Sequence, residues 1–243
     1  MSFLIKRGLA SALVLLVALV SIPGWGAKKP SADLVDSGVF GIYVNGKRVA
    51  SEKFEITQTA EISVAKAELR IDQAKNAQTA ELHLSPAGNL LRYQWSEKDQ
   101  GTAVVEPKDE FLVEHVSLLQ PAKSAEQPFI LPSSTLILDD YFFSQRQILL
   151  WRYLATQCKM KAGETGCSLS PAQFGVIVPR QQTSMQVNIE YKGPQKVNIK
   201  GADQDLRRFE LHSEGNDWVL WMDNTYKIQK IVIDAEGTEV YRD

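Results

Sequence analysis

From residue 38 onward the chain alternates with a period of two, and that alternation commits it to sheet. Phe40, Ile42 and Val44 interleave with Val39, Gly41 and Tyr43. Successive side chains of an extended strand face opposite ways, so each such segment lays one row against a core. Asn45-Gly46 follows, and both residue types accept the positive φ that a two-residue hairpin turn requires. The pattern predicts a return strand from Arg48 to Gln58 with Phe54 and Ile56 on the buried face. Further strands are expected over 61–71 and 78–84. In the latter, Leu82 and Leu84 point one way, Glu81 and His83 the other. Beyond the turn chemistry of Pro86–Asn89, Leu91, Tyr93 and Trp95 alternate with Leu90, Arg92 and Gln94. A strand over 111–118 continues the series.

The middle breaks the rhythm. Residues 120–132 carry Pro121, Pro128 and Pro132 and read as a loop. Asp139 or Asp140 then offers an N-cap carboxylate. Tyr141, Phe142, Ile148, Leu149 and Tyr153 recur at helical spacings, with Trp151 and Leu154 widening the stripe. A helix is therefore expected over 139–156, with Arg146 and Arg152 towards its flanks. Alternation resumes at Phe174, Val176 and Val178. It continues through Met185–Tyr191, closed by Gly193-Pro194, and on through Val197, Phe209, Trp218 and Ile231. Trp218 and Trp221, three apart, should face opposite ways. About eleven strands at regular spacing around one helix make a mainly β chain with one α-helix. The fold class expected is an antiparallel curved sheet, or open half-barrel, covering one amphipathic helix. A single β-rich domain over 38–243 is the simplest division. Two smaller domains with a seam in 121–132 are the alternative.

Residues 1–26 have a different character. Lys6 and Arg7 precede an uncharged apolar run from Leu9 to Ile22, then Pro23-Gly24 and Gly26. That order is a secretory signal peptide, cleaved near Gly26/Ala27. The apolar run is shorter than the roughly 20 residues that a membrane-spanning helix needs. Residues 27–37 then read as a flexible linker, and the processed chain as periplasmic or secreted with no transmembrane segment. The formal charge of −2, lowered further when Lys6 and Arg7 leave, gives no basic excess for nucleic acid. In an oxidising compartment the two cysteines, Cys158 and Cys167, are expected to form a disulfide.

Chemistry is sparse. The sequence has no Gly-x-Ser-x-Gly elbow, no His-Glu-x-x-His and no phosphate-cradling glycine motif. His83, His115 and His212 lie on separate strands with no ligand spacing. No metal, cofactor or catalytic residue is expected. Asp139-Asp140 reads as a cap, and Glu52 and Glu55 lie on opposite strand faces. What stands out is aromatic. Residues 141–153 hold Tyr141, Phe142, Phe143, Trp151 and Tyr153, and the strands add Phe40, Tyr93, Trp95, Phe174, Trp218 and Trp221. A sheet wrapped on such a helix is either solid or leaves an apolar cavity. The cavity candidates are Tyr93, Trp95, Phe142, Leu149, Trp151 and Trp218.

Three blocks also carry a resemblance. They are Gly38–Gly46 with Arg48–Glu52, Leu138–Phe143, and Trp221–Asp223 with Ile228–Ile233 and Gly237–Arg242. In their order the chain resembles uncharacterised exported bacterial proteins of the domain-of-unknown-function kind. The resemblance implies an architecture similar to the periplasmic lipoprotein carriers, an open half-barrel with helical cover. Such carriers use several helices as a lid, and this sequence offers one. The function expected is non-enzymatic binding of a hydrophobic or lipid-like ligand in the cell envelope. The alternatives are an assembly factor that binds a partner protein by a sheet edge, and an envelope hydrolase built on His115 or His212.

Overall fold

The fold is a computed structural model that describes residues 32–119, 121–161, 164–168 and 170–243. The leader, and the linker as far as residue 31, lie outside the described residues. The chain from residue 33 is strand after strand. It opens with β1 (Asp33–Val44), β2 (Lys47–Gln58), β3 (Ser63–Ile71), β4 (Gln78–Leu84) and β5 (Leu90–Glu97). β6 (Gly101–Lys108), β7 (Phe111–Leu119), β8 (Ala122–Phe129) and the short β9 (Leu136–Ile137) follow. After the helix α1 (Ser144–Gln157) come a small hairpin, β10 (Cys158–Lys161) with β11 (Glu164–Cys167), and then β12 (Ala172–Val178) and β13 (Thr183–Ile199). The last strands are β14 (Ala202–Ser213), β15 (Asn216–Met222), β16 (Ile228–Ile233) and β17 (Thr238–Arg242).

All but β10 and β11 join one fifteen-stranded sheet, which runs from β8 back to β1, across to β17, and back again to β12 and β9. The sheet is curved and open, with β8 and β9 as its edges. Every pairing is antiparallel except that of β9 with β12. Among the described residues the first strand lies beside the last, with Phe40 opposite Arg242 and Ile42 opposite Val240. The body Ser31–Asp243 is one compact unit, so residues 121–132 are not a seam.

The inner face follows the alternation. Ala50, Glu52, Phe54 and Ile56 of β2 point inward, as do Leu82 and Leu84 of β4 and Val187 and Ile189 of β13. α1 shares their core: Tyr153 meets Phe209 and Phe174 edge-on at 5.9 and 6.5 Å, and Leu149 is wholly buried. Burying one such leucine stabilises the fold by roughly 1.5–3 kcal/mol. Cys158 and Cys167 are bonded across the β10–β11 hairpin, as expected.

Several boundaries differ from expectation, each for a local reason. Residues 33–37, assigned to the linker, are the start of β1, because Asp36 is buried against Arg242. Residues 122–129 are β8 instead of loop, since Pro128 sits on an edge strand, where a missing N–H is tolerated. β13 does not end at Gly193-Pro194 but passes through it on a bulge, with Gly193 at φ +92°. Leu91 faces outward and Leu90 inward, because a register shift near His83 and Leu84 re-phases the start of β5. The strand count exceeds eleven partly because β6 turns glycine and alanine inward and shows a faint apolar row. Trp218 packs on the core while Trp221 bonds Gln195 outside, as their spacing requires.

The helix is shorter than 139–156 at its start, and Arg146 is interior, 3% exposed, not at a flank. Neither aspartate caps it: no side chain caps position Phe143 locally. Glu52, from β2, takes that role from a distance.

Candidate functional site

The first turn of α1 is a polar island inside an apolar core. Ser144, Gln145, Arg146 and Gln147 are all buried. A helix start leaves free N–H groups that must find acceptors. Here the Glu52 carboxylate accepts from the Phe143 N–H at 2.6 Å, and from the N–H and hydroxyl of Ser144. An inward carboxylate on β2 thus meets the positive end of the helix dipole. Burial still pushes Glu52 up to about 7, against the pull of the Ser144 and Phe143 bonds.

Two other carboxylates hold the surroundings. Asp36 accepts from both Nη atoms of Arg242, at 2.6 and 3.1 Å, from Lys227 Nζ at 2.9 Å and from Gln147 Nε2 at 2.6 Å. Burial alone would raise its pKa, but the bonds from Arg242, Gln147 and Lys227 outweigh it and hold the carboxyl below its ordinary value. Gln147 also accepts the N–H of Ile228, so Asp36 ties β1, β17, α1 and β16 together. Asp139 accepts from the Tyr93 hydroxyl at 2.5 Å and from Arg180 Nε at 2.8 Å. Tyr93 is pushed well above its usual range by burial and then by the Asp139 charge. Arg180 reaches on to Gln78 and the Asp140 carbonyl, joining the two halves of the sheet.

Two buried groups are less settled. Neither oxygen of Glu114 has a hydrogen-bond partner among the described residues. Burial, with the charge of Asp139 second, raises its pKa to about 8, which keeps it largely protonated at neutral pH. Arg146 donates through Nη1 to the Asp139 and Phe142 carbonyls, yet its Nε is unpartnered. Burial lowers its pKa to about 10, opposed by Asp140, Asp139 and Glu52.

The clefts among the described residues include three that bear on function. One of about 770 Å³ runs over the outer face of β1–β5 among Lys53, Glu55, Lys66, Glu68 and Glu81. A second, of about 200 Å³, lies beside the first turn of α1, with Arg146 and Trp218 in its wall. The third, about 220 Å³, opens along the later turns of α1. Its walls are Ile56, Leu84, Leu136, Ile148 and Trp151, and Arg152 stands among them.

The six aromatic and aliphatic candidates are divided among these places. Tyr93, Trp95, Phe142 and Leu149 pack in the core and line none of the three clefts. Trp151 lines the apolar cleft, its indole N–H donating to the Tyr226 carbonyl at 2.6 Å. Trp218 lines the second, its ring 4.6 Å from the Arg146 guanidinium. Period-two phase contained part of what the candidate set lacked. Glu52 shares the row of Phe54 and Ile56, and Glu114 that of Leu112 and Val116.

Each histidine pairs with a nearby acid: His83 with Glu81 at 2.5 Å, His115 with Glu126 at 3.5 Å, and His212 with Asp217 at 2.7 Å. Strand register also gathers Glu190, Glu210 and His212 so that their ligating atoms lie within 4.8 Å of one another. Lys192 already bridges both glutamates, at 2.7 and 3.2 Å, which supplies the cation that such a pair demands. Among the described residues no helix is long and apolar enough to cross a membrane.

No protein-family model matches the sequence, and no curated protein does either. Among solved structures the chain is similar to a beta-barrel-like protein of the domain of unknown function DUF1849 from Brucella abortus. The TM-score is 0.52 and the identity 8%, over 85% of this chain and 94% of that one. At that identity the likeness concerns architecture: a mainly β, barrel-like sheet left open, of a kind known in a domain of unknown function.

Proposed function

We propose that the chain is a non-enzymatic binding protein of the periplasm or secreted space, which takes a hydrophobic or lipid-like ligand. The observation that carries this reading is the apolar cleft along α1. Its walls are mainly aliphatic and aromatic, with Gln58 and Ser63 among them, and Val35 in its lining is 40% exposed. Contiguous apolar surface left open to water marks a place where something else binds. A volume of about 220 Å³ suits one acyl segment, smaller than the roughly 300–1,000 Å³ of drug-sized pockets. Arg152 gives the cleft a positive charge suited to an anionic head group. The lipoprotein carriers belong to this proposal as an analogy of architecture.

The sheet-edge alternative has weaker support. β9 is two residues long, and β8 carries Lys123, Glu126 and Pro128, features that discourage strand addition. The test of the ligand reading is fluorescence quenching by a dibrominated fatty acid, beside native mass spectrometry of protein isolated from an envelope fraction. Quenching that Trp151→Phe abolishes, and a co-purifying lipid, are the expected results. Quenching unchanged in Trp151→Phe, with no bound lipid, removes the cleft as the site.

A further inference from the structure

Resting on the reading of the apolar cleft as a ligand site, we propose that its ligand is a free single-chain fatty acid, held by its carboxylate on Arg152. Ile148, Trp151, Arg152 and Ala155 of α1 all line that cleft. Their spacing, i, i+3, i+4 and i+7, puts them on one helix face. Three of the four are apolar and the fourth is a cation. Ile56 and Leu84 line the cleft from the sheet. Every other residue of the lining is uncharged, which makes Arg152 the one charge in it.

That charge has no counter-ion. Arg152 is half-buried. Among the described residues its hydrogen bond runs from Nη1 to the Ala87 carbonyl, a neutral acceptor, and no carboxylate pairs with it. Ala87 is itself in the lining, so the bond holds the guanidinium at the cleft. Gly88, next along the β4–β5 turn, has φ +78°, and a Cβ there would stand 2.8 Å from Arg152 Nη1. A glycine lets the turn press this closely on the guanidinium. A guanidinium carries more N–H donors than one carbonyl can use. The remainder are left for water or an incoming anion.

These features narrow the ligand. About 220 Å³ lies below the roughly 300 Å³ at which drug-sized pockets begin, which gives room for one acyl chain and not for a diacyl lipid. One uncompensated positive charge matches one negative charge. A carboxylate offers two oxygens to the guanidinium fork. A phosphocholine head brings its own cation, which meets no acid in the lining. An alcohol brings no charge at all.

The probes share one chain and differ in head group: decanoate, decanol and decylphosphocholine. Each is titrated into the intact chain at neutral pH, below its micellar concentration, by calorimetry and tryptophan fluorescence. Decanoate is expected to bind about tenfold more tightly than either of the others, the scale of one charge-assisted pair. Arg152→Gln should bring decanoate down to the level of decanol, and native-like decanoate binding by that variant overturns the role of Arg152. If the variant fails to fold, the head-group series on the native chain still decides. Decanoate and decanol binding equally well overturns the fatty-acid proposal and leaves the cleft standing as a site for apolar ligands. Decylphosphocholine binding tightest makes the ligand a phospholipid and overturns the fatty acid. Binding of none of the three up to about 1 mM overturns both this proposal and the reading on which it rests.

Discussion

The two ends of α1 are held by opposite means. At the N-terminal end, Ser144, Arg146 and Gln147 are buried, and their partners come from far along the chain; Glu52 reaches Phe143 across 91 positions. At the C-terminal end, Thr156 and Gln157 are exposed, and the next residue, Cys158, is bonded to Cys167, nine positions away. One end is made by the tertiary fold and the other by a local covalent loop. The contrast shows why an α-segment with no local cap still has a sharp beginning: its first N–H groups were assigned to a strand.

Removing Asp36 should damage the molecule most. Asp36→Ala leaves Arg242, Lys227 and Gln147 without their shared acceptor, and breaking a buried ionic cluster costs about 3–5 kcal/mol. Urea unfolding should show that loss, with hydrogen exchange rising in β1, β17 and the first turn of α1 together. A loss confined to β1 would break the idea of a shared anchor.

The opposite end should respond less and more locally. Replacing both cysteines with serine removes a nine-position loop closure, which contributes about 2–3 kcal/mol in the chain-entropy model. Faster exchange should be limited to residues 154–168. If the first turn of α1 loosened equally, the two ends would not be independent.

The smallest effect expected is on pH dependence. Glu114 is raised from 4.5 to about 8, and Glu52 to about 7, both chiefly by burial. The folded state therefore holds these protons more tightly than the unfolded chain does. Their stabilisation is full below about pH 4.5 and declines as pH rises, through about 7 for Glu52 and about 8 for Glu114. Glu114→Gln should flatten the stability curve between pH 7 and 8, where Glu52 has already titrated, and roughly halve the slope between about pH 4.5 and 7, where both groups contribute. A curve that Glu114→Gln does not alter would mean that water reaches this carboxyl.

Much of this architecture was legible because it is periodic. Asn45 and Gly46 turn with φ of 50° and 77°, as their residue types allow, and Phe54 and Ile56 face inward as their phase requires. The disulfide was expected from an even cysteine count in a chain read as exported. The polar anchors were harder. Asp36 looked like part of a linker, because nothing local announces that Arg242 will lie beside it. Arg146 looked like a flank residue, because a charged side chain is ordinarily exposed, and its carbonyl acceptors exist only where residues 139–142 depart from helix. Glu52 could have been found: its place in the row of Phe54 and Ile56 marks a buried carboxylate in need of donors. What donated to it lay 91 positions away.

The pairing of β1 with β17 also bears on assembly. The neighbour of residues 40–44 is residues 238–242, so the sheet stays incomplete until the final stretch arrives. As the chain is made from its N-terminus, the leading hairpin has no mate on that side until residues 238–242 have been made. Such long-range pairing slows closure, so the outer side of the first hairpin stays uncovered until residues 238–242 pair with it.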